Sequence, residues 1–305
     1  MSFLRVFLVC AATLWAAAAP PLIAQDAAEA PTVTFKSTEL TSSLYMLENV
    51  GGFGGGNVGL LIGEDGVIMV DDSFPPHTEQ LLAAVASVVE DPVDFVINTH
   101  VHGDHSGGNA ELHGQGAIIV AHDNVRVRLK AQGVPGDAGG ERKPTPPEML
   151  PVLTFADAVR FHLNGEESFV FHVEEAHTDG DSVIHFKTSN VIHAGDVFLN
   201  GILPFNDHDN GGSVDGYIAA QEQILSHTDG STRIIPGHGP LATPQDLEKS
   251  VAMLKDARHK ISELMVEGRS IDEIIAAEPP KAHEAMSWRF ITTERMIRQV
   301  HRGLA

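Results

Sequence analysis

The sequence predicts an α/β protein in which two β-sheets stack face to face between outer layers of helices. Apolar runs with strand character alternate with a helical pattern between residues 57 and 121. A second set of strands, with period-two alternation, lies between residues 158 and 196, and helical patterns return from residue 214. Strands followed by helices, twice over, are best buried when the sheets pack on each other and the helices cover their outer faces.

The first set of strands begins with a hairpin. Residues 57–72, NVGLLIGEDGVIMVDD, hold two apolar runs separated by a turn that contains Gly, Glu and Asp. Apolar side chains with helical spacing predict a helix over residues 76–90. The runs VDFVIN (93–98) and GAIIVA (116–121) predict two more strands by their length and their β-branched residues.

The second set of strands is predicted from alternation and turn residues. AVRFHL and SFVFHV, joined by NGEE within residues 158–173, predict one hairpin. SVIHFK and NVIHAGD, within residues 182–196, predict a second pair of strands around TSN. Helices are predicted over residues 214–227 and after Thr243, an N-cap residue that precedes a proline. Residues 270–273, SIDE, fit a capping box at the start of a further helix.

Two glycine-rich segments are predicted as connections. Residues 133–151 are rich in Gly and Pro and are predicted to form a long surface loop. Residues 51–56, GGFGGG, are either a flexible connector or a mobile flap that carries Phe53 over a pocket, because glycine has little to pack and much conformational entropy to lose.

Residues 1–24 have the layout of a secretory signal peptide, with one Arg before an apolar run that prolines and an Ala-rich stretch follow. A membrane anchor is the alternative, although the apolar run is short for a span. Residues 25–40 are predicted as a linker and first strand, and residues 41–302 as one domain with C-terminal helices from about residue 243. The only cysteine, Cys10, lies in the signal segment, so a periplasmic or secreted chain without disulfides or thiolate ligands is predicted.

The composition limits the partners of the protein. The chain has 305 residues, of which 20 are basic and 41 acidic, so its formal net charge is −21. A surface this negative repels phosphates and anionic lipids, which excludes nucleic acid and, after signal cleavage, membranes as main partners. We interpret the acidity as an aid to solubility in preference to an acidic binding face. A small-molecule substrate is expected, and the sequence does not indicate an oligomeric state.

Residues 98–109, NTHVHGDHSGGN, place three histidines and an aspartate directly after a buried strand. His100 and His102 are two residues apart and project the same way from an extended chain, so they could hold one metal ion. Asp104 and His105 would then point elsewhere and could hold a second ion. Imidazole and carboxylate ligands without sulfur suit zinc, iron or manganese. Zinc usually takes about four ligands, so other parts of the chain must contribute.

Three further candidate ligands lie where a strand gives way to a loop. They are His177 in EEAHTDGD, Asp196 in VIHAGDVF and His238 in RIIPGHGP. Together with the first motif they predict two metal sites that share one carboxylate. The first site comprises His100, His102 and His177, the second comprises Asp104, His105 and His238, and Asp196 is shared.

The motifs THVHGDH, AHTDGD, AGDVF and PGHG resemble those of the metallo-β-lactamase superfamily of binuclear metal hydrolases, in that family's order, over roughly residues 40–240. The resemblance implies a four-layer αββα sandwich, a hydrolase domain over residues 41–302 and the ligand roles given above. It implies two Zn²⁺ ions, with iron or manganese as alternatives, and a bridging hydroxide that attacks an ester, lactone, thioester or β-lactam carbonyl. Asp104 is expected both to bind metal and to orient the nucleophile.

The substrate stays open within this family. The lactamase subclass that uses a cysteine ligand is excluded, because the mature chain would contain no cysteine. An aspartate at position 196 is similar to the ligand at this place in the thioesterase and lactonase branches. Asp179 and Asp181 stand where thioesterases similar to glyoxalase II carry a proline and a second histidine. No cation that would bind a β-lactam carboxylate is apparent near Asp196, so strong lactamase activity is not expected. A di-iron centre that handles oxygen or nitric oxide and a non-catalytic metal-binding module are the alternatives.

The remaining histidines are interpreted without a role in the metal sites. Those in strands are expected to be structural: His162, His172, His185 and His193. Those elsewhere are expected at the surface: His122, His208 and His227. Residues 206–212, NDHDNGG, are interpreted as a solvated turn that could line the substrate pocket, and calcium binding through the carboxylates is the alternative.

Overall fold

A computed structural model of the chain describes residues 33–51, 55–135, 141–277 and 281–305. The predicted signal peptide, Phe53 of the glycine-rich segment and the middle of the predicted loop after residue 133 lie outside these residues. In the part that is described, no helix is both long and apolar enough to cross a membrane.

Seven strands form the first sheet, in the order in which they occur in the sequence. They are β1 (Thr34–Glu39), β2 (Leu44–Val50), β3 (Val58–Leu61), β4 (Ile68–Val70), β5 (Phe95–Ile97), β6 (Ile118–His122) and β7 (Leu153–Phe155). The first four are antiparallel neighbours, and β4 to β7 run parallel. The connections between the parallel strands hold the helices α1 (Thr78–Ala86), α2 (Gly103–Ser106), α3 (Asn109–Gly114) and α4 (Asp123–Gln132).

Five strands form the second sheet, in the order β12-β11-β10-β9-β8. They are β8 (Ala158–Leu163), β9 (Glu166–His172), β10 (Ser182–Phe186), β11 (Val191–His193) and β12 (Arg233–Ile235). β8 to β11 are antiparallel neighbours, whereas β11 and β12 are parallel. The helices that follow β11 are α5 (Val214–Ser226), α6 (Pro244–Val266), α7 (Ile271–Ala277) and α8 (Thr293–Leu304).

Alternate residues of the buried strands face two different cores. In β2, Leu44 and Met46 pack between the two sheets, whereas Leu47 packs in the core that α1 covers. In β11, Val191 faces the first sheet and Ile192 faces the core shared with α5 and α6. This period of two follows from the pleat of the strand. It produces the four-layer αββα sandwich that the sequence predicted.

The predicted turns and caps are confirmed. The β8–β9 hairpin turns at Asn164 and Gly165, which both have positive φ (57° and 71°), as a tight hairpin turn requires. Thr243 caps α6 in a capping box with Asp246. Ser270 and the side chain of Glu273 form the reciprocal bonds of a second capping box at the start of α7.

Two element predictions need correction. The helix predicted over residues 76–90 covers only Thr78–Ala86. It ends before two β-branched valines and Pro92, and those valines still pack against the core outside the helix. The loop predicted over residues 133–151 contains a β-bridge between Val134 and Lys143 and a short 3₁₀ turn at Pro147–Met149 in its described parts.

Candidate metal centre

The H-x-H-x-D-H motif lies where β5 ends and α2 begins. His100 and His102 precede α2, and Asp104 and His105 lie within it. The backbone of Gly56 passes against the ring of His105, where an added Cβ would come within 2.2 Å of the imidazole. The amide of Gly56 also donates to the carbonyl oxygen of Asp104 over 3.1 Å. A residue without a side chain at position 56 therefore lets the loop before β3 support the motif.

Three imidazoles converge on one point at the edge of the sandwich. The Nδ1 atom of His102 lies 3.2 Å from Nε2 of His100 and 2.9 Å from Nε2 of His177. The carboxylate atom Oδ2 of Asp196 lies 3.5 Å from Nε2 of His177 and 3.9 Å from Nε2 of His100. These four ligand atoms form the first group, in which all pairs lie within 4.8 Å of one another.

A second group lies beside the first. Nε2 of His238 lies 3.4 Å from Nε2 of His105 and 3.2 Å from Oδ2 of Asp104. The other oxygen of Asp196, Oδ1, lies 3.1 Å from His105 and 3.5 Å from His238. Asp196 thus directs one oxygen to each group, as expected of a shared ligand. All seven residues predicted from the sequence are in this cluster.

The hydrogen bonds behind the first group direct ring nitrogens inward. Nδ1 of His177 lies 2.7 Å from the carbonyl oxygen of Phe205, which can only accept, so Nδ1 carries the proton. Nε2 of His102 lies 2.7 Å from the carboxylate of Asp207 and donates to it. The tautomers inferred from these partners leave the lone pairs of the inner nitrogens facing each other.

Asp71 organises the other imidazoles. This fully buried carboxylate accepts from the backbone amide and the hydroxyl of Thr99, over 2.7 and 2.8 Å, and from Nδ1 of His105 over 2.7 Å. Because the Thr99 hydroxyl donates to Asp71, it accepts from Nδ1 of His100, 3.0 Å away. One carboxylate therefore orients one imidazole of each group.

The electrostatics of the two groups differ. Burial lowers the pKa of His177 to about 4 and holds that of His100 well below its usual value, so both are neutral at neutral pH. Burial opposes charge on His238 as well, but the carboxylates of Asp196 and Asp104 outweigh it and raise its pKa to about 9. The second group therefore balances carboxylate charge with imidazolium charge, which a divalent cation could replace.

The cluster fits a pair of divalent cations. Oδ1 of Asp196 is buried and makes no hydrogen bond with the described residues, although an imidazole nitrogen lies nearby. In the first group, three nitrogen lone pairs meet without a proton between them, which is unfavourable unless a cation accepts them. The backbone of Gly237 lies so close that an added Cβ would come within 2.0 Å of the same Asp196 oxygen. Nitrogen and oxygen donors in this proportion support the use of divalent metal.

A cavity of about 550 Å³ opens onto the cluster. Its lining includes His102, Asp104, Asp196 and His238 together with apolar side chains and Arg289. No cation near Asp196 was predicted from the sequence. Arg289 lines the same cavity because the C-terminal segment folds back over it, and sequence spacing alone does not indicate such a contact.

The structure also places the partners that sequence reasoning missed. Asp71 directly follows β4, the parallel neighbour of β5, and the carboxyl ends of parallel strands meet at one edge of a sheet. That rule could have identified Asp71. The NDHDNGG turn, predicted as a possible lining of the substrate pocket, contributes no residue to the described lining of the cavity; it contacts the cluster through the hydrogen bond between Asp207 and His102, which no local pattern indicates.

Two predictions about the other histidines are wrong. His162 was expected to be structural, but its side chain is exposed on β8, an edge strand of the second sheet. His122 was expected at the surface, but it is buried and stacks on His172, with ring centroids 3.8 Å apart. The reason is its place at the N-cap of α4, where Nδ1 accepts from the amide of Asn124 and Nε2 bonds to the carbonyl oxygen of Ala156. His208 and His227 are only half-exposed.

A model of the metallo-beta-lactamase superfamily matches residues 51–257, which is more than half of the chain and includes the whole cluster. The chain belongs to the metallo-beta-lactamase superfamily. The predicted family resemblance is therefore confirmed.

Solved metallo-beta-lactamases share the fold of this superfamily member. The metallo-beta-lactamase from Pontibacter korlensis is 17% identical, with a TM-score of 0.59, over 73% of this chain and 100% of that chain. The metallo-beta-lactamase FIM-1 from Pseudomonas aeruginosa, in its mono-zinc form, is 19% identical, with a TM-score of 0.57, over 74% of this chain and 96% of that chain. At such identities the likeness establishes the fold alone.

Two oxidases are similar over a short segment. The coenzyme F420H(2) oxidase of Methanothermobacter marburgensis is 38% identical over 61 residues, which is 19% of this chain and 15% of the oxidase. The oxidase of the same name from Methanothermobacter thermautotrophicus is 37% identical over 62 residues, again 15% of its length. The chain thus spans a small part of these relatives, and the superfamily includes both hydrolases and oxidases.

Proposed function

We propose that the protein is an exported metal-dependent hydrolase that holds two zinc ions and cleaves an ester, lactone, thioester or β-lactam carbonyl. The observation that carries this proposal is the position of Asp196, with one oxygen facing each of two ligand groups. Such a shared carboxylate suits a pair of cations that act on one substrate. When bound, the cations supply Lewis acidity, which lowers the pKa of a water molecule towards neutrality and polarises a carbonyl oxygen.

In this proposal the seven clustered residues are the metal ligands, divided as the sequence predicted. The remaining side chains position them: Asp71 and Asp207 hold protons on the outer ring nitrogens, so that the inner nitrogens stay available. Asp104 is half-exposed at the cavity, where its carboxylate could also orient the attacking water. The cavity leads directly to this carboxylate, as a small-molecule substrate would require.

Zinc is proposed because it accepts a donor set of five imidazoles and two carboxylates and because the structurally similar lactamase FIM-1 was solved in a mono-zinc form. The short similarity to the coenzyme F420H(2) oxidases favours a second candidate, a di-iron centre with redox activity. Metal analysis of the protein purified from its native host separates the two candidates, since they differ in the element bound. Export is proposed from residues 1–24, and N-terminal sequencing of the protein from the periplasm or medium tests it.

The hydrolase proposal is tested with the zinc-loaded protein and a panel comprising nitrocefin, an acyl lactone, a thioester, an aryl ester and a phosphodiester. We expect turnover of at least one carbonyl substrate, loss of turnover with a chelator and recovery with zinc. His102→Ala should lose metal and turnover together while its circular dichroism spectrum stays that of the wild type. His162→Ala, which removes an exposed histidine of β8, is the matched control. Turnover that survives both chelation and His102→Ala would refute the proposal.

A further inference from the structure

The cavity over the cluster has two walls of opposite character. One wall is the metal-binding cluster. The other consists of apolar side chains from three distant parts of the chain, namely Phe74, Leu199, Phe205, Trp288 and Phe290. Among the described residues that line the cavity outside the cluster, only Arg289 has a polar side chain, and it is exposed at the rim.

The aromatic side chains of this wall are held in place. The Trp288 indole nitrogen donates to the carbonyl oxygen of Leu203 over 2.9 Å, and the Trp288 ring lies 6.3 Å from the ring of His238. The rings of Phe205 and Phe290 meet edge to face at 5.0 Å, and Trp288 and Phe290 lie 5.6 Å apart. The guanidinium of Arg295 lies 4.1 Å from the centre of the Phe290 ring. Ordered rings bind a ligand at a lower cost in conformational entropy than mobile side chains do.

This inference rests on the proposed hydrolase function: we infer that the substrate carries a flat aryl group, which binds against Phe205, Trp288 and Phe290. The hydroxyl groups of a sugar or the amides of a peptide backbone would find few hydrogen-bond partners at this wall, which favours a group without such polar atoms. Aromatic rings at these separations favour edge-to-face or offset contacts with another ring, which distinguishes an aryl group from an alkyl chain of similar area.

Trp288 and Phe290 lie beyond residue 257, where the superfamily match ends. The part of the chain that matches the superfamily therefore does not include these two residues of the wall. Phe290 is 42% exposed at the mouth of the cavity, where its ring could cover part of a bound ligand. Ligand binding would thus explain why a large apolar side chain is exposed here.

Binding can be measured without turnover because Trp288 is the only tryptophan besides Trp15. The full chain with Trp15→Phe, loaded with zinc, is titrated with 3-phenylpropanoate, hexanoate and acetate while tryptophan fluorescence is recorded. All three probes carry one carboxylate, so differences report the apolar group. We expect 3-phenylpropanoate to bind at least about tenfold more tightly than acetate and more tightly than hexanoate. Phe290→Ala should weaken binding of the aryl acid about tenfold, and Val127→Ala, at an exposed position of α4, should not.

Turnover of the matching thioesters of N-acetylcysteamine gives a second readout. Trp288→Ala should raise KM for the phenylpropanoyl thioester by a larger factor than KM for the acetyl thioester, Trp288→Phe should recover part of the loss, and Val127→Ala should leave both values unchanged. Equal binding of the three acids, or tighter binding of hexanoate, overturns the aryl assignment whatever the turnover. If the aryl acid binds as expected but no substrate of any class is hydrolysed, the aryl wall stands and the hydrolase proposal fails.

Discussion

At the scale of single residues, the carboxylates of Asp71 and Asp207 orient the imidazole rings of the cluster by accepting hydrogen bonds from their outer nitrogens. Asp207 illustrates this. It accepts from His102, from the amides of Asp209 and Asn210 and from the side chain of Asn210. These donors outweigh its partial burial, so the pKa of Asp207 lies well below its usual value and the carboxylate stays charged.

We expect Asp207→Asn to weaken metal binding at the first group by about 10- to 100-fold. The neutral amide lacks the negative charge with which the carboxylate holds the proton on Nε2 of His102. Competition with a chromophoric chelator measures the change. Asp209→Asn is the control, since Asp209 lies two residues away, is exposed and pairs with Arg302 at the surface. Equal metal affinity in the wild type and in Asp207→Asn would contradict the role given to this carboxylate.

His193 should contribute to the acid sensitivity of the fold. Burial lowers its pKa from the usual 6.5 to about 4, so the unfolded chain binds a proton that the folded chain excludes. Its contribution is therefore complete above pH 6.5 and is lost as the pH falls towards 4, by at most about 3 kcal/mol. Denaturant unfolding of the metal-free protein at several pH values should show a shallower acid limb for His193→Gln. An unchanged slope would show that other groups cause the limb.

At the same scale, the sequence predicted the seven clustered residues because each stands beside a strand end in a recognisable motif. Asp207 and the carbonyl group of Phe205 were not predicted. Their contacts with His102 and His177 join residues 105 and 28 positions apart, and such pairings depend on how two loops meet.

At the scale of elements, the turns and helix caps were predicted correctly because they depend on residues that are neighbours in the sequence. Asn164 and Gly165 adopt the left-handed backbone conformation that their turn needs. Thr243 is the N-cap of α6 and forms a capping box with Asp246. The predicted end of the first helix failed because Val88 and Val89 continue the apolar pattern after the helix has stopped. Apolar residues at helical spacing indicate which side chains are buried, but not where the helix ends. When the segment after a helix also packs on the core, the apolar pattern extends past the last helical residue.

The segment between α7 and α8 shows the limit of that approach. Its aromatic residues show no periodicity that indicates a binding wall. They reach the cavity because α8 packs on α6, and the segment before α8 is carried across the cluster with it. Only the tertiary arrangement of these C-terminal helices reveals that contact.

At the scale of the whole molecule, the cluster joins the two sheets. His100, His102 and His105 follow β5 of the first sheet, whereas Asp196 and His238 follow the neighbouring strands β11 and β12 of the second. Because the unfolded chain does not hold these side chains together, metal that binds the cluster stabilises the folded state.

We therefore expect removal of metal to lower the melting temperature and zinc to restore it. At a free zinc concentration about 100 times the dissociation constant, the stabilisation should be about 2.7 kcal/mol. Thermal unfolding in zinc buffers of graded concentration measures it. Asp196→Ala should lose most of the zinc-dependent shift, whereas the exposed-site variant His162→Ala should keep it. A melting temperature independent of zinc would contradict zinc binding at the cluster, because an ion that binds the folded state preferentially must raise the melting temperature.

The wall formed by Trp288 and Phe290 and the ligands of the cluster come from separate stretches of the chain, with the last ligand at His238. Mutations can therefore accumulate in one stretch while the other stays intact. A related protein with a different C-terminal segment could therefore accept other substrates and still keep all the residues of the metal-binding cluster. Selection for specificity and selection for reactivity would then act on different ends of the same gene.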